Sequence, residues 1–257
     1  MSKLYTTEAI IIKNKDYQEY DKLVTAFSPY HGRISAVVKG VKKPKSKLAS
    51  VVQSFTYGSY QFHSGKNLDR LVQGKPIHAF AHIKEDLSLM SAGMCMLELL
   101  DKAVPEAEEY PALFGVSLSC FYLLEHGYPP AQVLRLFEAK LIDNLGVTPN
   151  FHHCINHTGE PDSGERWYFD PSVGGLICES CFEAQLYGHE THAFPVEKGS
   201  VKVLQRMFNY PIYKLKSLRL TQLQSDTVEK ILENMLNYHF GITCHTKTFF
   251  ETSIGKQ

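Results

Sequence analysis

Four side chains of the kind that hold transition metals stand in two pairs: Cys154-Ile155-Asn156-His157 and, after twenty residues, Cys178-Glu179-Ser180-Cys181. A two-residue gap lets both side chains of one knuckle reach a single ion, and four thiolate or imidazole donors complete a zinc tetrahedron. With all four positions filled by protein there is no place for a reacting water, so this zinc is expected to be structural. Zinc-enzyme motifs are missing: there is no HExxH, and no H-x-E precedes the cysteine pair as in the zinc deaminases. His189-Glu190-Thr191-His192 has the wrong spacing for a zinc protease. His152 and His153 compete with His157 for the fourth position, and His157 alone completes a CxxC-like knuckle.

A second group offers charge. Lys39, Lys42, Lys43, Lys45 and Lys47 fall within nine residues, Arg33 precedes them, and Lys66 and Arg70 extend the series. A cationic loop beside a curved sheet can follow a phosphate backbone, and such binding weakens steeply with salt because it releases counterions. Tyr30, Tyr57, Tyr60 and Phe62 are candidates for stacking on unpaired bases, although a small barrel also needs aromatic side chains for its core. The sequence offers no convincing nucleophile–base pair, phosphate-binding glycine loop or carboxylate cluster. It reads as a binder, not an enzyme.

The elements that position these groups change character along the chain. Residues 4–80 alternate short β-type runs with turn signals: 4–13, 22–28, 33–39, 51–63 and 68–77, with 14–20 a polar connection and Gly58 at a bulge. Five strands in so short a segment suit an OB-type barrel. Beyond Pro76 the period becomes helical, over 86–103, 112–126, 131–145, 195–209 and 226–240. The last of these opens with Asp226 and Glu229 at capping-box spacing. The expected fold class is therefore α+β: an N-terminal OB-type β-barrel (1–80), then a helical domain (81–257) carrying a zinc-binding insertion at 151–182. Within that insertion, 167–170 and 176–177 form two arms of a hairpin that delivers the second knuckle beside the first.

Net charge is zero, but residues 1–80 contain 13 Lys and Arg against 5 Asp and Glu, while the remainder contains 14 against 22. A basic front and an acidic back imply different partners for the two parts. Three of the six cysteines cluster at 154–181, which points to metal in a reducing compartment; Cys95, Cys120 and Cys244 read as buried small side chains. No run of 18 apolar residues exists and the N-terminus has no apolar signal core, so the expected location is the cytoplasm, with no membrane partner.

Several segments together resemble the RecO family of bacterial recombination-mediator and DNA-repair proteins. They are Tyr20-Asp21-Lys22-Leu23-Val24, Ser28-Pro29-Tyr30-His31-Gly32-Arg33, Val38 to Ser46, Phe137 to Leu141, Leu145 to Pro149, Phe169-Asp170-Pro171, Gly174-Gly175-Leu176 and the Cys178–Cys181 knuckle. The resemblance implies an OB fold followed by a helical domain, with zinc in many members. It also implies single-stranded DNA binding, annealing of complementary strands, and action with the RecR ring protein to load a RecA-type recombinase. Binding to the acidic C-terminal tail of single-strand-binding protein is implied too, and Lys214, Lys216 and Arg219 are candidate contacts for it. Zinc-bearing members commonly have cysteine where His157 stands. The competing readings are a zinc-containing adaptor or transcription-type module, which would show little DNA binding by residues 1–80, and a metal hydrolase or deaminase, which would need an open ligand position.

Overall fold

In the computed structural model, which describes residues 3–158, 166–184 and 192–247, strands β1 (Leu4–Tyr17), β2 (Asp21–Ser28), β3 (Gly32–Val38), β4 (Tyr57–His63) and β5 (Asp69–His78) close into a barrel. Its order, β1-β2-β3-β5-β4 and back to β1, is that of an OB-type barrel, with the β3–β5 pair parallel. Inward residues at every second position build the interior: Ile34, Ala36 and Val38 of β3 meet Val24, Ala26, Tyr60, Phe62 and Leu71. The β4–β5 ladder shifts register at Tyr57/Gly58, where the sequence suggests a bulge; a Cβ on Gly58 would lie 2.6 Å from the Lys75 carbonyl oxygen.

Two strand boundaries differ from expectation. β1 continues through 14–17, read from sequence as a polar connection, because Asn14, Lys15 and Asp16 pair by backbone with Val24, Leu23 and Lys22. Backbone pairing needs no apolar side chain, so polarity conceals it. Conversely, residues 51–56 are not strand. They turn, with Val51 N donating to Leu48 O and Thr56 N to Gln53 O, and Val51 and Val52 join the barrel core. The apolar run here plugs the barrel instead of extending its wall.

The described residues fall into two compact units, one bounded Met1–Pro130 and joined by the segment from Cys244, the other Ala131–Thr243. Residue 80 is where strands give way to helices, while the first compact unit runs on through α1 (Ala81–Glu85), α2 (Leu87–Ala103) and α3 (Pro111–Glu125). The reason lies on the barrel's outer wall. Ile10, Ile12 and Phe27 are fully or almost fully buried, α2 packs on β1, α3 packs on β2, and the Phe27 ring meets Phe114 edge-on at 5.5 Å. Gly32 tightens the join: its φ is +57°, and a Cβ there would lie 2.5 Å from Pro105 O.

The second unit contains α4 (Pro130–Asn144, nearly all of it), α6 (Lys198–Asn209), α7 (Ile212–Leu215) and α8 (Gln222–Phe240). It also holds a four-stranded sheet, order β6-β8-β7-β9, from β6 (Asn150–Cys154), β7 (Trp167–Asp170), β8 (Gly175–Cys178) and β9 (Phe194–Val196). The cap of α8 lies one turn earlier than Asp226. Thr221 accepts from Gln224 N, and the Gln224 side chain returns to Thr221 N. Glu229, expected in the cap, instead lies 3.1 Å from the guanidinium of buried Arg135. No helix among the described residues is long and apolar enough to cross a membrane.

Candidate metal centre and nucleic-acid interface

Cys154, His157, Cys178 and Cys181 come together, with their ligand atoms all within 4.8 Å of one another. The sheet brings this about. β7 and β8 pair as the expected hairpin, Trp167 opposite Cys178 and Asp170 opposite Gly175. Asp170 sets its turn by accepting from Ser172 N at 2.8 Å and Ser172 Oγ at 2.6 Å. β6 then lies parallel to β8, with Ile155 N donating to Leu176 O at 2.9 Å, so the first knuckle is bonded two residues from Cys178. Gly175 permits that approach: a Cβ there would sit 2.4 Å from Ile155 Cγ2. A short helix, α5 (Glu179–Glu183), begins directly after Cys178 and turns Cys181 back toward it.

The arrangement separates the three histidines. His157 Nε2 lies 3.1 Å from Cys178 Sγ. His152 meets Asn209 at 3.2 Å, His153 meets Asn150 at 3.1 Å, and neither joins the cluster. All three cysteines are buried while His157 is exposed. Burial opposes ionisation of Cys178, but hydrogen bonds from Ser180, the Cys181 backbone and His157 outweigh it and bring this thiol down to about 6. Burial and the neighbouring Cys178 and Cys154 push Cys181 up to about 11. A cation among the four would stabilise every thiolate at once, and three sulfurs with one imidazole are a donor set that holds a tetrahedral metal. His189, Glu190 and Thr191 lie outside the described residues.

On the barrel, Lys39, Lys42, Lys43, Lys45 and Lys47 are all exposed. Their loop is docked: Lys42 N donates to Tyr20 O at 3.0 Å and Gly40 N to Asp21 Oδ1 at 2.7 Å. Lys42 also pairs with Asp16 at 3.0 Å. Arg70, opposite Val37 in the β3–β5 ladder, stands near the start of this loop. Arg33 is placed apart from it. Its guanidinium donates to Asp101 O at 2.8 Å and lies 3.5 Å from the Asp101 carboxylate, tying β3 to α2. Lys66 and Arg33 line a cleft of about 380 Å³ together with Lys3, His31, Asp69 and Glu106.

The aromatic candidates divide. Tyr60 and Phe62 are fully buried in the barrel core, and the Tyr60 hydroxyl donates to Val51 O at 2.8 Å, which removes both from any stacking role. Tyr57 packs on Phe114 and donates to Glu8 at 2.6 Å, with burial and that carboxylate pushing its phenol up to about 12. Tyr30 is exposed, but on the β2–β3 turn against the acidic 105–110 segment, where Tyr110 N donates to Pro29 O and Ala107 N to His31 O. Two further rings, Tyr17 and Tyr20, are not among the stacking candidates read from sequence and are exposed at the tip of the β1–β2 hairpin.

The second unit holds another basic concavity of about 360 Å³, lined by Arg206, Tyr210, Lys214, Leu215, Leu218 and Arg219 among others. Lys214 and Arg219, singled out by sequence, belong to it, and Lys216 is not among its lining residues. Arg206 comes from α6, which no local motif connects with the other two.

Residues 1–80 match the family model described as Recombination protein O N terminal, and residues 84–248 match Recombination protein O C terminal. Among relatives named DNA repair protein RecO, that of Desulfitobacterium hafniense is 36% identical over 85% of this chain and 79% of its own length. That of Listeria monocytogenes is 30% identical over 94% of this chain and 92% of its own. Syntrophomonas wolfei has one 38% identical over 68% of this chain and 69% of its own. With both family models matched in order and relatives aligned across nearly the whole length, the chain belongs to the RecO family of DNA repair proteins.

Proposed function

We propose that this protein is a cytoplasmic recombination mediator that binds single-stranded DNA, anneals complementary strands and, with RecR, helps a RecA-type recombinase replace single-strand-binding protein. It does so as a binder, without chemistry of its own. The observation that carries this reading is the docked lysine loop: Lys39, Lys45 and Lys47 are exposed, and no carboxylate lies within ion-pair distance of them among the described residues. Ammonium groups held beside an OB-type barrel offset the mutual repulsion of two phosphate backbones, and base pairing then supplies specificity and driving energy.

Zinc is the proposed metal of the four-residue centre. It would be held by Cys154, His157, Cys178 and Cys181 and would supply cross-linking rather than catalysis, because those four side chains fill a tetrahedron. The acidic, apolar-ended tail of single-strand-binding protein is assigned to the second unit's concavity. The cationic ends of Arg206, Lys214 and Arg219 complement its carboxylates, and Leu215, Leu218 and Tyr210 offer apolar surface.

An annealing assay with complementary oligonucleotides, naked and coated, tests the reading. Replacing Lys39, Lys45 and Lys47 together by Ala should slow annealing of both, and should lower the log–log salt slope of strand binding by about 2. Lys214→Ala with Arg219→Ala should slow only the coated reaction. Undiminished annealing by the triple lysine variant would remove the loop from the function.

A further inference from the structure

Among the described residues the barrel exposes three tyrosine rings that could meet a base, and their electrostatic surroundings separate them. Tyr30 stands beside the acidic segment that carries Glu106, Glu108 and Glu109. Tyr17 and Tyr20 stand on the β1–β2 hairpin, 37% and 46% exposed. Two anchors, Lys42 N to the Tyr20 main-chain oxygen and Gly40 N to the Asp21 carboxylate, fasten the lysine loop to that hairpin, so rings and ammonium groups form one surface. Of the hairpin's own acids, Asp16 is ion-paired, with Lys42 at 3.0 Å and Lys22 at 3.6 Å, and Asp21 accepts from Gly40 N. Lys43 Nζ lies over one face of the Tyr20 ring, 5.7 Å from its centre. A base lying on that ring would therefore have an ammonium group close to its phosphate.

The geometry points to Tyr20, with Tyr17 beside it, as the base-stacking platform of the cationic surface: an unpaired nucleobase lies on the Tyr20 ring while Lys43 and its neighbours hold the adjoining phosphates. This rests on the single-strand binding proposed above and adds what that reading lacks, a means of preferring unpaired bases over bare polyanion. Every base has a π face, so the preference is sequence-tolerant. It also favours splayed strands over duplex, whose bases are already stacked on one another.

The test compares a labelled oligothymidylate with an abasic deoxyribose-phosphate strand of equal length, by anisotropy, on the full chain. The wild type should bind the base-bearing strand more tightly. Tyr20→Ala should lose roughly 5- to 100-fold on that strand, little on the abasic one, and keep its salt slope. Tyr20→Trp should restore the preference, and Tyr30→Ala should retain it. Since Tyr20 is exposed, a thermal melt should show Tyr20→Ala folded as the wild type is. Equal wild-type affinity for the two strands, or equal loss on both by Tyr20→Ala, overturns the platform and leaves the electrostatic reading standing. No wild-type binding to either strand overturns both.

Discussion

Glu98 on α2 holds the segment that returns from the far end of the chain. Its carboxylate accepts from His245 N at 2.9 Å, Thr246 N at 2.8 Å and Thr246 Oγ1 at 2.5 Å, and pairs with Lys102 at 2.6 Å. Burial opposes ionisation, yet the hydrogen bonds from Lys102, Thr246 and His245 prevail and hold the carboxyl well below the usual range. A depressed folded-state pKa gives stability that is present above the unfolded value and lost as pH falls through the folded one. Glu98→Gln should therefore cost about 1.5–3 kcal/mol near neutrality. The difference from wild type should narrow from about pH 4 downward. Urea unfolding at a series of pH values checks this, and a penalty independent of pH would mean that charge is not what holds the segment. Sequence gives no hint of the clamp, because its partners are almost 150 residues apart and none has a distinctive motif. Arg135 and Glu138 are similar: they look like surface residues of an ordinary helix, yet they are 1% and 2% exposed and pair at 2.9 Å. Such burial is tolerated because each charge faces an opposite one.

Among the elements, those whose signal is local are legible in the amino-acid order alone. Helices α2, α3 and α4 begin and end within about a residue of the periods that announce them, and Asp86 caps α2 by accepting from Leu89 N at 2.8 Å. The hairpin of β7 and β8 is legible for the same reason: its arms are apolar and its turn is proline- and glycine-bounded. α8 shows the limit. The Asp226–Glu229 spacing read from sequence gives way to a cap at Thr221, which adds a turn of helix and the reciprocal Thr221–Gln224 bonds. Thr221→Ala should therefore destabilise the protein by about 0.5–2 kcal/mol, and Asp226→Ala, which loses only a surface bond from Gln222, by less. Chemical denaturation of the two variants decides between them. Comparable losses would return the cap to Asp226. The 14–17 and 51–56 segments depart from their local patterns because strand pairing is a property of two segments: partner and register are invisible to a window on one.

For the molecule as a whole, the candidate metal centre and the lysine charge belong to different compact units, since the four-residue cluster lies within Ala131–Thr243 and the lysine loop within Met1–Pro130. A metal site that does not exist in the unfolded chain adds its binding energy to folding. A strong chelator should thus lower a thermal transition assigned to the second unit and leave oligothymidylate binding by the lysine surface at its original affinity. Calorimetry with parallel anisotropy would show this, and loss of strand binding on chelation would make the metal part of the DNA-binding device. Residue types and their order are enough to establish the barrel, the helical stretch, the two knuckles and the gathering of positive charge, because each depends on spacing along a few dozen residues. Folding in three dimensions is needed to choose His157 over its neighbours, to spend Arg33 on Asp101, to bury Tyr60 and Phe62, and to leave Tyr20 beside the lysines. Those outcomes depend on which distant side chain arrives at contact distance, and contact between remote segments leaves no mark on either one alone.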